Sequence, residues 1–379
     1  MNSLPYILLV FSLGLLAYAY HCGEEPRSKQ QIKYAAVGIF VIFFGFRGFI
    51  LSDWIIYYPF FKECDARDLY DYNFVTSKGF EPGFTLLTII CKSIVDDFHF
   101  YTFVLCVINT ALLVRFFSKH SDNIPLALML YVVFEGLVIS TNLMRNSIAI
   151  FIFLNALDYI RDRRPLPYFL LCGLATTFHI SSVIFFPLYF VLHRSISKWG
   201  FLAVFIVSNI VFLSHFSIIE LVFGLLGIDD SVSMKVRAYT EIYDKSSQIS
   251  VGYIERLMTG LLVFLYYDEL KEKREGNIMF INMILAYISI YLLLSEFEIL
   301  AKRICALFAC GYWIIWADLI RSFAIVNNRR LFASFVFLYC LLRINNLTQL
   351  PDFEYDNVLT GIKSYNERLY IHNKTFEGP

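Results

Sequence analysis

Twelve apolar stretches punctuate the chain, at residues 4–20, 32–51, 98–117, 124–140, 143–160, 167–179, 181–193, 199–219, 253–267, 277–295, 303–320 and 331–345. A bilayer core asks for about 20 apolar residues per helix, fewer where a helix is tilted or the membrane is thinned. The pattern therefore predicts an all-α, polytopic transmembrane helical bundle of about twelve spans. The pair flanking His179 is short, so a tight hairpin or a re-entrant piece also fits there. Residues 84–95 (FTLLTIICKSIV) are half a span long and predict a helix lying at the interface, inside an outer connection over 52–97. The whole of 1–379 reads as one integral membrane domain, with no internal repeat and no low-complexity segment.

Composition points the same way. Of 379 residues, 58% are hydrophobic and 17% charged, against about 45–50% and about 25% in a soluble chain. A chain of this size cannot hide that excess in one core, so its solvent is lipid. The 32 basic and 32 acidic residues cancel, which gives no basicity for a nucleic-acid partner and no solvating acidic tail. Eight cysteines lie mostly inside apolar runs, with no CxxC and no paired spacing with His, and read as small buried hydrophobes. Residues 1–20 lack a basic n-region and a small-residue cleavage pattern, and read as a retained first span.

Lysine and arginine placement orients the spans. Connections 21–33, 115–122, 161–166, 194–198, 268–277 and 321–330 hold 16 basic residues in 52 positions. The alternate set, 1–3, 46–97, 141–146, 179–182, 220–256, 296–303 and 343–379, holds the other 16 in 147. The first set is therefore cytoplasmic. Both termini and the long connections, including the loop 220–252, then lie outside. There is no GxxxxGK[ST] and no GxGxxG loop, which argues against an ATP-driven pump or an enzyme with a soluble nucleotide-sugar domain.

Charged groups at the edges of apolar helices are costly unless paired, hydrated or used. On this topology Arg47, Asp53, Arg145, His179, Glu255, Arg256, Lys302 and Arg303 fall on the outer side. Any one of the arginines can simply snorkel to headgroups. Arg145 stands out because Asn142 and Asn146 neighbour it at i−3 and i+1. That polar end suits an anionic ligand, since arginine's planar fork of donors fits phosphate. His179 has Thr176 at i−3 and Ser182 at i+3, and reads either as a structural histidine in a hairpin or as a general base. Residues 52–83 interleave Asp53, Glu63, Asp65, Asp68, Asp71 and Glu81 with Tyr57, Tyr58, Tyr70, Tyr72, Phe74 and Phe80. This fits a carbohydrate surface and, equally, an ordinary solvated loop. Glu296-x-Glu298 offers two carboxylates without further convergent ligands, and the pairs Asp96-Asp97 and Asp229-Asp230 offer less, so no metal site is expected.

Four short motifs give a resemblance. They are Arg47…Ser52-Asp53…Tyr57, then Glu81-Pro82-Gly83-Phe84, then Asn142-Leu143-Met144-Arg145-Asn146-Ser147-Ile148-Ala149, and last Phe178-His179-Ile180-Ser181-Ser182. In this order and spacing the sequence resembles the EpsG family of polytopic membrane proteins, which belong with the Wzy-type polysaccharide polymerases. Residues 40–195 carry the resemblance; beyond residue 200 it rests on hydropathy and Arg303. Asn146 stands where the family pattern has a Gln-type amide, which changes reach but not chemistry.

The resemblance implies a GT-C-like bundle in the bacterial cytoplasmic membrane that joins lipid-linked oligosaccharide repeat units at the outer face. The growing glycan on undecaprenyl diphosphate would be the donor and a hydroxyl of a new lipid-linked unit the acceptor. No nucleotide sugar, metal or other cofactor would be needed, and a chain-length regulator would be a partner besides membrane lipid. On that reading Arg145, Arg303, Arg256 and Arg47 would bind the diphosphate and stabilise its growing charge. His179, or failing it Asp53 or Glu81, would take the proton of the acceptor hydroxyl. Asn142, Asn146, Tyr57 and Ser182 would contact substrate. Other readings stay open: a lipid-linked oligosaccharide flippase or transporter, a surface-glycan ligase, a membrane O-acyltransferase, or a non-catalytic scaffold. Charges gathered at outer helix ends, with apolar mid-spans, disfavour transport.

Overall fold

The computed structural model describes residues 2–65, 67–68, 79–218 and 250–376. Tyr70, Asp71, Tyr72, Phe74, the Asp229-Asp230 pair and nearly all of the 220–252 loop lie outside them. The described residues form helices and no β-strand; Arg47 with Asn357 and Asn357 with Gly361 make isolated bridges.

Each of the twelve apolar stretches overlaps a helix. The first half of the chain gives α1 (Leu4–Cys22), α2 (Pro26–Gly45), α3 (Trp54–Glu63), α4 (Pro82–Ile94), α5 (Phe98–His120), α6 (Ile124–Asn142), α7 (Met144–Arg161), α8 (Pro165–Phe178) and α9 (Ile180–Val191). The second gives α10 (Lys198–Leu213), α11 (Val251–Leu265), α12 (Tyr267–Glu272), α13 (Asn277–Leu293), α14 (Glu298–Ala306), α15 (Cys310–Ser322), α16 (Val326–Leu347) and α17 (Tyr365–Phe376). Four of these, α1, α5, α6 and α16, are long and apolar enough to cross a membrane, and α14 with α15, bent by 60°, makes a fifth if counted as one span. Helices α4, α8, α9, α10 and α13 are apolar but shorter. The chain is thus an all-helical membrane protein.

Local sequence sets where the helices begin. Proline occupies the first turn of α1, α2, α4, α6 and α8, where its missing N–H costs nothing. Asp97, Asn123, Ser197 and Ser250 cap α5, α6, α10 and α11 by accepting an amide of the first turn.

The chain divides into two compact units, one of residues 1–189 with 330–379 and one of residues 190–329. In the first, α7 is buried on every face, from Met144 to Ile160, as a helix apolar all round must be. Asn155 ties it to α5 by donating to the Leu112 carbonyl at 3.0 Å. Helix α6 is interrupted at Phe134 (φ −106°, ψ 91°) and Glu135 (φ 67°, ψ −22°). Irregular backbone at membrane depth persists only where protein supplies hydrogen-bond partners. Here Arg343 of α16 donates through Nε to the Val133 carbonyl at 3.2 Å and lies 4.8 Å from the Phe134 ring centre.

At one end of this unit Ser3 Oγ donates to the Asn345 carbonyl (3.1 Å), the Tyr6 hydroxyl to that of Phe353 (2.8 Å) and Arg47 Nη2 to that of Ser140 (3.0 Å). At the other, Asn123 Nδ2 donates to the Ala17 carbonyl (2.9 Å), Lys33 to Ser118 (3.1 Å), and Lys119 pairs with Asp158. Ser3, Arg47, Asn345 and Phe353 fall in connections that the basic-residue bias expects outside, and Lys33, Ser118 and Lys119 in connections it expects in the cytoplasm. Residues 351–376, an outer connection by sequence, fold back onto the segment after α2. Val358 N–H donates to the Phe46 carbonyl (2.8 Å), Gly48 N–H to that of Asp356 (3.0 Å) and Leu51 N–H to that of Asp352 (2.9 Å).

The second unit is built around α13, whose Asn277 donates to Asp318 of α15 at 2.9 Å; Arg274 pairs with the same carboxylate at 3.3 Å. α13 and α15 approach to backbone contact at Gly311, where a Cβ would stand 2.6 Å from the Ile284 nitrogen. Gly311→Ala must therefore push the two helices apart, at about 1–3 kcal/mol, and lower the thermal midpoint of the purified protein in detergent. Gly173→Ala on α8 meets open space and serves as the control; equal midpoints for the two variants would contradict this packing.

Candidate active site

Glu81 is held in place by its sequence neighbours. Pro82 opens α4 and keeps the residue before it extended, with Glu81 at φ −68° and ψ 144°. Gly83 lets α4 lie against the end of α8, since a Cβ there would stand 2.5 Å from Thr177 Oγ1 and 2.8 Å from the Thr177 carbonyl. Helix α8 stops at His179, which is extended (φ −157°, ψ 125°). The restart as α9 leaves an amide without a helical partner, and Glu81 satisfies it. Glu81 Oε1 accepts from Ile180 N–H at 2.9 Å and lies 2.9 Å from His179 Nδ1, while Oε2 accepts from Arg145 Nη1 at 2.6 Å.

Arg145 comes from the first turn of α7, just after Leu143 (φ −126°, ψ 51°) breaks the chain that leaves α6. Its Nε donates to the Tyr57 hydroxyl of α3 at 2.8 Å, and its guanidinium lies 4.9 Å from the Phe80 ring centre. Nη2 has no hydrogen-bond partner among the described residues. The side chains of Glu81, Arg145 and His179 are 13%, 22% and 24% exposed, so the cluster is ordered by the fold yet open on one side.

Burial alone would raise the Glu81 carboxyl, but the Ile180 amide, Arg145 and His179 outweigh it and hold the group below its ordinary 4.5. The Tyr57 phenol is pushed up to about 12 by burial and by Asp53. It stays protonated, so its oxygen accepts from Arg145 while its own hydrogen has no acceptor among the described residues. A histidine that donates Nδ1–H to a carboxylate carries its basic lone pair on Nε2.

The starts of α3 and α7 are clasped together. Asn142 Oδ1 accepts from the amides of Ser52 (3.0 Å) and Asp53 (2.9 Å) and from the Ser52 hydroxyl (3.3 Å), and Asp53 Oδ2 accepts from Met144 N–H at 3.3 Å. Asp53 and Asn142 thus hold the frame that carries Tyr57 and Arg145. Asn146, 6% exposed, accepts from Ser181 Oγ at 3.4 Å, and Ser182 is fully buried with no partner for its hydroxyl among the described residues.

The remaining arginines differ among themselves. Arg47 is 6% exposed. Beyond its bond to Ser140, it borders a cavity of about 10 Å³, room for one water, shared with Asn109, Tyr131 and Ser140. Arg256 and Arg303 belong to the second unit. Arg256 is 5% exposed, donates to the Gly252 carbonyl at 2.7 Å and stacks 3.5 Å over the Tyr291 ring. Arg303, on α14, is exposed and has no hydrogen-bond or ion-pair partner among the described residues. Sequence reasoning had grouped these four arginines together. It missed the linking role of Glu81, for which the Glu-Pro-Gly triplet was the available signal, and the stacking of Phe80 on Arg145.

The lowered carboxyl of Glu81 stabilises the fold at neutral pH. That contribution persists down to the ordinary 4.5 and is lost as pH falls through the group's own lower value. Glu81→Gln should therefore cost about 1–2 kcal/mol at pH 7, and the gap to wild type should close on acidification. Thermal unfolding of both proteins in detergent between neutral and acid pH measures it; a gap that does not change with pH counts against the ion pair.

The EpsG family model matches residues 32–360. No curated protein and no solved structure matches the chain. The matched stretch contains Tyr57, Phe80, Glu81, Arg145 and His179, all the residues of the cluster. By sequence over most of its length, the chain belongs to the EpsG family.

Proposed function

We propose that this protein is a glycosyltransferase of the bacterial cytoplasmic membrane that polymerises undecaprenyl-diphosphate-linked oligosaccharide repeat units at the outer face. The observation that carries the reading is the cluster of Glu81, His179, Arg145 and Tyr57, brought together from distant parts of an EpsG-family chain. The acceptor hydroxyl attacks the anomeric carbon of the growing glycan, the bond from that carbon to the diphosphate oxygen breaks, and undecaprenyl diphosphate leaves with the bonding electrons. His179 Nε2 takes the hydroxyl proton, and Glu81 orients the imidazole and stabilises the imidazolium. Arg145 Nη2 and the Tyr57 O–H donate to the departing phosphate. Because Glu81 already holds one edge of the guanidinium, a phosphate either uses the remaining nitrogen or displaces that carboxylate.

In this reading the chain is a GT-C-like membrane protein of about twelve spans, the shorter helices tilted or in thinned bilayer. Asn146 lies beside the sugar. A chain-length regulator is the expected protein partner. One observation favours a second reading, that of a lipid-linked oligosaccharide flippase: α6 is discontinuous at Phe134–Glu135, as helices lining a translocation path often are.

Purified protein in liposomes with a synthetic lipid-linked repeat unit separates the two. The polymerase lengthens glycan without nucleotide; the flippase translocates it at unchanged length. Arg145→Ala should abolish lengthening with the protein still in the membrane. Arg145→Lys should also be poor, because an ammonium lacks the planar fork whose separate nitrogens meet Tyr57 and Glu81 in fixed directions. His179→Ala should lower turnover by about 10²–10⁴-fold with little change in substrate affinity; weakened affinity at full turnover would exclude the base role.

A further inference from the structure

The family match ends at residue 360, yet the residues after it help to build the frame of the candidate site. Arg368, 3% exposed, reaches the segment after α2. Its Nε and Nη2 both donate to the Phe49 carbonyl, the first at 2.8 Å, and Nη1 pairs with Glu354 at 3.0 Å. At Gly48 the Asp356 carboxylate fills the space that a Cβ would need. Tyr365, Leu369 and His372 share one face of α17 at helical spacing. Tyr365 stacks on Tyr58 at 4.6 Å and meets Trp54 edge-on at 5.4 Å, and His372, 3.2 Å from Asp352, lies 6.4 Å from Trp54. Trp54, Tyr57 and Tyr58 all belong to α3, ten residues long with Pro59 inside it. A helix that short does not hold its own shape or place.

We propose that residues 352–376 are a positioning element of the candidate active site, anchored by Arg368. By fixing the Phe49 carbonyl, Arg368 sets α3, and so holds Tyr57 against Arg145 and Asp53 against the Met144 amide. Arg368 is a positioning residue that acts through Phe49. The catalytic consequence rests on the polymerase reading; the anchoring of α3 does not.

The test uses full-length protein in lipid nanodiscs, comparing wild type, Arg368→Ala, Arg368→Lys and Tyr365→Ala by amide hydrogen exchange and by lengthening of lipid-linked oligosaccharide. Arg368→Ala should speed exchange over residues 47–58 while leaving the interior of α7 and of α13 protected. It should lower turnover at saturating substrate by about tenfold to about a hundredfold, the cost of a displacement near 1 Å, with much less change in apparent KM. Arg368→Lys should fall between it and wild type. Tyr365→Ala, which keeps the guanidinium, should give a smaller effect of the same kind, and it decides the matter if Arg368→Ala does not fold. Unchanged exchange over 47–58, or faster exchange with undiminished turnover per folded molecule, overturns the proposal. If wild type lengthens no glycan, the polymerase reading fails, and exchange over 47–58 alone supports or overturns the anchoring.

Discussion

A single carboxylate holds the candidate site together. Glu81 meets an amide at the start of α9, the imidazole at the end of α8 and the guanidinium at the start of α7. Each of those groups lies at a helix terminus, where backbone is left without helical partners. A part-buried charge or amide without a partner is costly, so one acceptor facing three donors stabilises three helix ends at once. On the polymerase reading it also orders the chemistry. A histidine held by a carboxylate on one nitrogen presents the other as a base, and an arginine held on two nitrogens presents the third in a fixed direction.

The architecture was largely legible in the sequence, because apolar runs of membrane length leave few alternatives to helix. Each of the twelve runs overlaps a helix. The site was legible in part. Asn142 with Arg145, His179 and Glu81 stood out as polar residues in apolar surroundings. Their connectivity did not, since Glu81 meets His179 across 98 residues and Arg145 across 64, and no local pattern encodes such a meeting. Glu81 was weighed as a base in reserve; with three donors on it, orienting is the task its surroundings support. The C-terminal residues were unread for the same reason, because Arg368 finds its partner 319 residues away.

Arginines with the same sequence signature do different physical work here. Arg145 joins an open cluster, Arg343 satisfies a carbonyl freed by the break in α6, Arg256 is stacked in tyrosine and Arg47 faces a cavity the size of one water. A guanidinium has five donors. In an apolar protein it is as useful for satisfying irregular backbone as for binding an anion. Counting arginines on one side of the membrane therefore overstates the size of an anion site, and what sets Arg145 apart is its place in the cluster, held by Glu81 and Tyr57 with Nη2 left over.

A double-mutant cycle on Glu81 and His179 bears most directly on the claim that the carboxylate acts through the imidazole. Lengthening rates would be measured at saturating lipid-linked substrate for wild type, Glu81→Gln, His179→Gln and the double variant. If the two act as a unit, the double variant is about as slow as the slower single one. Rate losses that multiply would mean that Glu81 and His179 work independently, and would contradict the account.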